Sequence, residues 1–276
     1  MWQLQRSAKT PPPQPTNKIA QFWKNAKELA RFYKDGTKLL WANHKHAKEL
    51  REKESQGHVL SRSEFQLIHR SNKDFRKLVP FVITFIIVGE WIPLVVMFVP
   101  GLIPSTCITN AQLEKLRRKM YEKRNVMSQN VLESSKSIKA ISKEDFANVN
   151  GMIRISKQFG PDFELQHIDR PHLKAYCKFM GLGHRFATKG MLIRRLQSHL
   201  DYLRRDDQLI AKDGVDSLVL PELQSAAEER GMRSVDVSET HLKRSLKYWI
   251  SLHLRNPPFP QGLLIFSRIF LLNAKY

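Results

Sequence analysis

The sequence contains few of the residues that build disulfide frameworks or metal centres. Cys107 and Cys177 are the only cysteines among 276 residues, and neither belongs to a CxxC motif. Such a small number in a long chain argues against a disulfide scaffold. No group of cysteines and histidines has the spacing of zinc ligands. His44 and His46, two residues apart, fall on different faces of a helix. We therefore expect no metal site.

The sequence also lacks the short motifs of common enzyme classes. It contains no Walker A loop, no GxGxxG, no HExxH and no GxSxG. The stretch DGVDS at residues 213–217 lacks the alternating oxygen ligands and the final glutamate of a calcium loop, so it reads as a turn. We therefore expect neither enzymatic catalysis nor a cofactor.

Acidic residues are scarce relative to basic ones, and the chain carries a formal charge of +20. Residues 1–77 hold 17 basic and 7 acidic side chains, and residues 110–276 hold 29 and 18. Between them, Glu90 is the only ionisable side chain of residues 78–109. The excess indicates an anionic partner, such as nucleic acid, the ribosome or anionic lipid. The alternative is the general charge bias of an organelle.

The N-terminal part predicts a disordered lead followed by amphipathic helices. Residues 1–17 are rich in proline, glutamine and threonine, and residues 18–77 carry apolar side chains at helical spacing. Gly36 is expected to end or bend the first helix. Ser61, three residues before Glu64, has the spacing of a capping box, so a second helix should begin directly after it. The aromatic face of the first helix suits a partner, a membrane surface or the protein's own core.

Residues 78–109 predict a transmembrane segment. The 19 residues between Pro80 and Pro100 would span about 28 Å as a helix, close to the ~30 Å hydrocarbon core of a bilayer. They show no polar face, which a soluble helix of this length normally has. Basic residues flank both ends almost equally, so charge does not fix the orientation. The expected helix kinks lie at Pro80, Pro93, Pro100 and Pro104.

Glu90 is the one candidate for ion chemistry inside this segment. A carboxylate in hydrocarbon is costly unless it is neutralised or paired, and exchange of a proton for a cation satisfies that requirement. The alternative is that Glu90 reaches the interface, or accepts a hydrogen bond from backbone freed by Pro93 in a neighbouring helix. Because one segment cannot enclose a pore, transport requires oligomerisation or another segment.

Residues 110–160 predict linking helices, the second of them weakened at Gly151. The expected buried stripe of the first comprises Leu113, Leu116, Met120 and Met127. Its expected exposed side, a candidate for contacts with phosphate or the ribosome, comprises Arg117, Arg118, Lys123 and Arg124.

Residues 161–272 contain an internal repeat with an offset of 50 residues. Proline at the first turn, two core positions four apart, a C-cap glycine and an N-cap hydroxyl recur in both copies. The matched pairs are Pro171 with Pro221, Leu173 with Leu223, Cys177 with Ala227, Gly181 with Gly231, and Thr188 with Ser238. Each copy is therefore predicted to be a helix–turn–helix, and two stacked copies make an all-α domain.

This pattern resembles helix–extended loop–helix modules of the SAP type, some of which bind DNA. The alternative is a pair of helical hairpins without that role, since arginines here stand among acids such as Asp201, Asp206 and Asp207. A basic side able to contact phosphates remains, formed by Lys189, Arg194, Arg195, Lys243, Arg244 and Lys247.

Five stretches in order resemble the LETM family, the leucine-zipper- and EF-hand-containing transmembrane proteins of the mitochondrial inner membrane. They are FYKDGTKLLW, GHVLSRSEFQLIHRSNKDFRKLVPF, FVPGLIPST, LVLPELQSAAEERGMRSVDV and LLIFSR, spread from about residue 30 to about residue 272. The resemblance implies a single membrane pass and a matrix-facing ribosome-binding domain similar to 14-3-3 proteins. It implies potassium/proton exchange, with calcium/proton exchange also proposed, and contact with mitochondrial ribosomes during membrane-protein insertion.

The chain departs from the family pattern in two places. It stops soon after LLIFSR, so we expect a short form without the C-terminal coiled coil and EF-hand. In the membrane segment Pro93 follows Glu90 by three residues instead of the usual four. The leading hypothesis is an oligomer in which Glu90 alternates between proton and cation. The second is a membrane-anchored ribosome receptor without transport, and the third a DNA-associated adaptor.

Overall fold

A computed structural model describes residues 18–88, 105–135 and 142–274. These ranges form α-helices and short 3-10 helices, without a strand among them, so the predicted all-α class is confirmed for them. We number the α-helices α1 (Lys18–Ser55), α2 (Arg62–Val88), α3 (Asn110–Ser135), α4 (Lys143–Phe146), α5 (Val149–Phe159), α6 (Arg170–Phe179), α7 (Lys189–Asp213), α8 (Leu220–Glu229), α9 (Glu239–His253) and α10 (Gln261–Leu271).

The start of α2 agrees with the sequence prediction, whereas the end of α1 does not. The backbone N–H of Ser61 donates to Glu64 at 2.8 Å, and α2 begins at Arg62 as the capping box predicts. Helix α1 does not end at Gly36 but continues to Ser55. A glycine inside a helix costs only about 1 kcal/mol relative to alanine, which a helix of 38 residues tolerates.

The chain divides into two compact units. The first comprises Met1–Glu49 and Arg70–Cys107, and the second comprises Leu50–His69 and Ile108–Tyr276. In the first unit, the ring of His44 stacks on that of Phe75 with 4.1 Å between their centroids. Helices α1 and α2 therefore pack on each other there.

Asp74, which precedes the predicted transmembrane segment, contacts Ser105 near the C-terminal end of that segment. Asp74, which is buried, accepts a hydrogen bond from the backbone N–H of Ser105 at 2.9 Å, and the Ser105 hydroxyl also donates to it. The contact brings the two ends of the apolar stretch together.

The rest of the predicted segment falls largely where the structure gives no description. Pro80 lies within α2, whereas Glu90, Pro93, Pro100 and Pro104 lie outside the described residues. None of the described helices combines the length and the apolarity needed to cross a membrane.

The repeat forms the two helical hairpins that its spacing predicts, α6–α7 as repeat 1 and α8–α9 as repeat 2. Thr188 and Ser238 cap the second helix of each hairpin, accepting bonds from Met191 and His241 backbone N–H groups. Gly181 and Gly231 have φ of +76° and +75°. Glycine is favoured there because a side chain at positive φ is strained.

The single helix predicted between α3 and repeat 1 is two short helices, and the interruption lies before Gly151. Helix α4 ends at Phe146, and Asn148 caps α5 by accepting a bond from the N–H of Gly151 at 2.6 Å. A Cβ atom on Gly151 would lie 2.2 Å from the carbonyl oxygen of Asp145. Gly151 therefore permits a close approach of two short helices rather than weakening one long helix.

The contact between Asp74 and Ser105 predicts that both flanks of the apolar segment lie on the same side of a membrane. Arg70→Cys and Asn110→Cys, made separately in a chain with Cys107→Ser, should react equally with a membrane-impermeant maleimide in sealed, uniformly oriented vesicles. If one site reacts only after the vesicles are permeabilised, the segment crosses once and the contact is wrong.

Candidate functional site

The buried face of α3 contains polar side chains that the sequence did not predict, beside Met127, which packs against the core as predicted. Arg117, Tyr121, Arg124 and Ser128 are spaced four, three and four residues apart and so lie on one face. Arg124 is only 4% exposed and Ser128 is fully buried, whereas Leu113, predicted to be buried, is 38% exposed. Hydrophobic periodicity could not find this stripe because its members are hydrogen-bonding residues.

Arg124 joins the ends of two helices of the repeats. Its guanidinium donates to the carbonyls of Phe179 at 2.7 Å, Glu228 at 2.9 Å and Met232 at 3.4 Å. Phe179 and Glu228 lie at the C-terminal ends of α6 and α8, where unpaired carbonyls give partial negative charge. Burial lowers the pKa of Arg124 to about 10, so it stays charged at neutral pH. Arg124 is therefore a structural clamp and not a surface contact.

Two neighbouring arginines hold α3 on repeat 2. Arg117 lies 2.9 Å from the carboxylate of Glu228 and donates to Gln224 at 2.5 Å. Arg118 pairs with Asp236 in the loop of repeat 2 at 3.0 Å. Three of the four basic residues predicted for the exposed side of α3 are thus engaged within the protein, and Lys123 is exposed.

A buried ion network stands at the centre of the second unit. Nη2 of Arg230 lies 2.8 Å from Asp206 and 2.7 Å from Asp207, and all three side chains are fully buried. Asp207 also accepts from Trp249 Nε1 at 2.8 Å and lies 2.6 Å from Nδ1 of His253. The two aspartates are therefore not the surface acids that the sequence suggested.

Helix α2 completes this network. Asp206 accepts from Nε of Arg62 at 3.0 Å and from the amide of Gln66 at 2.8 Å. Burial by itself would raise the pKa of Asp206, but the charges of Arg230 and Arg62 outweigh it and hold the pKa below its ordinary value. The network is closed to solvent and its carboxylates are paired, so its role is structural.

No set of three or more histidines, cysteines, aspartates or glutamates in the described ranges is arranged to hold a metal ion. The buried carboxylates of the network already have cationic or N–H partners. The remaining candidate site of the described residues lies on the surface.

The two repeats share a backbone but differ in charge. Residues 168–200 hold 7 basic and 1 acidic side chains, a net of 7 − 1 = +6. The matching residues 218–250 hold 5 and 5, a net of 5 − 5 = 0. Because the backbones correspond, this difference cannot serve the hairpin fold itself.

Several cations of repeat 1 are exposed and carry no carboxylate partner within 4 Å in the described part of the chain. We call them the repeat-1 cations: Lys174, Lys178, Arg185, Lys189 and Arg194. Two other arginines of this repeat hold its loop instead, since Arg195 donates to the carbonyl of Gly183 and Arg170 to that of Ala187.

In repeat 2, two of the three cations predicted to contact phosphate form ion pairs. Lys243 lies 2.6 Å from Glu239, and Lys247 lies 2.7 Å from Asp216. Arg244 is exposed. Binding by any of the proposed cations stays a prediction, but repeat 1 leaves more of them available than repeat 2.

Phe186 stands at the loop of repeat 1 and is fully exposed, with φ of +52°. Its counterpart in repeat 2 is Asp236, with φ of +54°, whose exposed side chain pairs with Arg118 of α3. The same loop thus forms an ion pair with a helix in one copy and presents an aromatic ring to solvent in the other. Phe186 was not among the residues predicted from the sequence, although the offset of 50 aligns it with a charged residue.

Comparison with known proteins gives the family. The family model described as "LETM1-like, RBD" matches residues 60–271, three quarters of the chain. The chain belongs to this family. The predicted LETM resemblance is thereby confirmed, and the matched region includes α3, the ion network and both repeats.

The chain also matches two curated proteins. The whole chain is 30% identical over 275 residues to "LETM1 domain-containing protein mdm28, mitochondrial" of Schizosaccharomyces pombe, an alignment that covers 92% of this chain and 58% of that protein. It is 32% identical over 269 residues to "Mitochondrial proton/calcium exchanger protein" of Drosophila melanogaster, covering 89% of this chain and 26% of that protein. The chain thus spans less than two thirds of either relative.

Arg124→Met should destabilise the LETM1-like domain by about 3 kcal/mol or more, since it leaves buried carbonyls without a donor. Lys123→Met, at the exposed neighbouring position, should change stability by no more than about 0.5 kcal/mol. Urea unfolding followed by circular dichroism measures both. Equal stability of the two variants would show that Arg124 is not a clamp.

Proposed function

We propose that this protein resides in the mitochondrial inner membrane and binds the mitochondrial ribosome through the repeat-1 cations of its LETM1-like domain. We propose further that it supports potassium/proton exchange and cation homeostasis. The mitochondrial names of both relatives and the RBD description of the family support this proposal. The C-terminal domain would then face the matrix.

The difference in charge between the two repeats is the observation that carries ribosome binding. Exposed cations without a carboxylate within 4 Å repel one another, and a polyanion beside them relieves this repulsion. RNA phosphates neutralise such side chains and release condensed counterions. Repeat 2, with the same backbone, has no net charge over residues 218–250, so it serves as an internal reference.

Phe186 favours RNA over a lipid surface as the immediate contact. Unpaired bases stack on exposed aromatic rings, and this stacking contributes about 1–3 kcal/mol per base. Insertion into lipid requires a wider apolar face. The neighbours of Phe186 in the loop are His184, Arg185, the buried Ala187 and Thr188.

Charge reversal of repeat 1 should weaken ribosome binding and its salt dependence. Lys174→Glu, Lys178→Glu, Arg185→Glu and Arg194→Glu together should lower the slope of log K against log salt by about 0.7–0.9 for each phosphate that the protein no longer neutralises. Cosedimentation of the full chain in detergent with mitochondrial ribosomes, across a salt series, measures this slope.

The matched control carries the same change of charge on exposed positions elsewhere, namely Lys123→Glu, Lys212→Glu, Arg244→Glu and Lys247→Glu. It should bind more tightly than the repeat-1 variant. Phe186→Ser should lower affinity about tenfold without changing the slope, because stacking releases no counterions. If both charge variants lose the same affinity, the ribosome is attracted by the overall basic charge of the protein and not by the repeat-1 cations.

The transport part of the proposal is supported by the apolar segment and its single carboxylate. Glu90 lies outside the described residues, so its support is the sequence and the exchanger name of the Drosophila relative. A lone carboxylate in apolar surroundings is unfavourable when it is charged and unpaired. Binding either a proton or a cation neutralises it. We propose that the segment, from several copies of the chain, forms the path within inner-membrane lipid.

Glu90→Gln should abolish potassium-driven proton flux in proteoliposomes while leaving ribosome binding unchanged, because an amide cannot exchange a proton. Glu133→Gln, an exposed carboxylate on α3, is the control and should retain flux. Flux is followed with a pH-sensitive dye inside the vesicles, with potassium, sodium and calcium gradients compared.

Unchanged flux in Glu90→Gln would favour the alternative function. In that case the protein is a membrane-anchored ribosome receptor for membrane-protein insertion, without transport activity, and its further partners are insertion factors.

A further inference from the structure

Arg268, on α10, is a buried cation without a carboxylate partner. It is 2% exposed, and no described aspartate or glutamate lies within 4 Å of it. Its guanidinium lies over the rings of Trp249 and Tyr248, at 5.5 Å and 5.9 Å from their centroids, while Nη2 has no hydrogen-bond partner among the described residues. A buried charge is costly unless it is paired, so this arrangement calls for a further group.

The unpaired guanidinium lines a small cavity between α9, α10 and the loop of repeat 2. The cavity has a volume of about 10 Å³, which is room for about one small particle. Ser245, 3% exposed, also lines it, and its hydroxyl has no partner in the described part of the chain. Two buried residues, each with one donor that lacks a hydrogen-bond partner in the described part of the chain, thus line the same small cavity.

The charges around the cavity are predominantly positive. His241 and Arg233 complete its polar wall, and Leu271 supplies part of the apolar wall. Burial and the charges of Arg233 and Arg244 lower the pKa of His241. The acidic residue nearest to Arg233 is Asp236, at 4.0 Å, and Asp236 is also paired with Arg118.

We propose that this cavity binds a monatomic anion of the size of chloride, held by Nη2 of Arg268 and the hydroxyl of Ser245. Water alone would satisfy the donors but would not offset the guanidinium charge. The small size of the cavity favours a monatomic anion over phosphate or a carboxylate. The anion would hold α10 against repeat 2.

The proposal is independent of ribosome binding and transport, and the full chain in detergent tests it. Chloride-35 NMR should show line broadening proportional to protein concentration, reversed by bromide and not by gluconate. Ser245→Ala should weaken binding at least tenfold, because a hydrogen bond to a charged group contributes about 1.5–3 kcal/mol. Ser251→Ala, at an exposed serine of the same helix, should bind as the unaltered chain does.

Thermal unfolding gives a second measurement. Chloride at constant ionic strength should raise the melting temperature above that in gluconate, since a ligand of the folded state stabilises it. Ser245→Ala should melt as the unaltered chain does in gluconate and lose most of the gain from chloride. Broadening that persists equally in Ser245→Ala and Arg268→Met, or its absence from the unaltered chain, would overturn the proposal and leave a buried water.

Discussion

Arg230 and its two aspartates tie together four helices that the chain brings from distant positions. Asp206 and Asp207 come from α7, Arg230 follows α8, and the N–H groups that complete the carboxylates come from α2 and α9. Removing one member would leave the others charged, buried and unpaired, which is strongly unfavourable. The intact network adds little net stability, because burying its charges is itself costly. The hairpins, the start of α2 and the core of the second unit are arranged around this requirement.

Repeat 1 and repeat 2 show how one backbone can serve two purposes. In repeat 2 the loop residue Asp236 pairs with Arg118, the lysines of α9 have acidic partners, and α3 covers part of the surface. In repeat 1 the equivalent loop residue is Phe186, and the repeat-1 cations remain available. In this duplicated module, repeat 2 makes contacts within the protein, and repeat 1 keeps exposed side chains that can bind a partner.

Arg124 and Arg268 are two buried arginines with different surroundings. Arg124 directs its donors to carbonyls at two helix ends and stabilises the packing of α3. Arg268 lies over two aromatic rings, lines a small cavity and has one donor without a hydrogen-bond partner in the described part of the chain. Burial alone therefore does not distinguish a structural cation from a binding one, and the distinction rests on whether acceptors within the protein use every donor.

The sequence by itself determined the helical class, the capping of α2, the two hairpins with their glycine turns, and the family. These features depend on local spacing, on caps and on residues that tolerate positive φ, all of which a single chain displays directly. It could not determine the polar buried face of α3, the clamp at Arg124 or the buried network at Arg230. Each of these joins residues more than 20 positions apart, so its members look like ordinary surface charges until packing removes them from water. Only the tertiary structure also brought Asp74 to Ser105, because a contact between the flanks of an apolar segment leaves no periodic signal in the sequence.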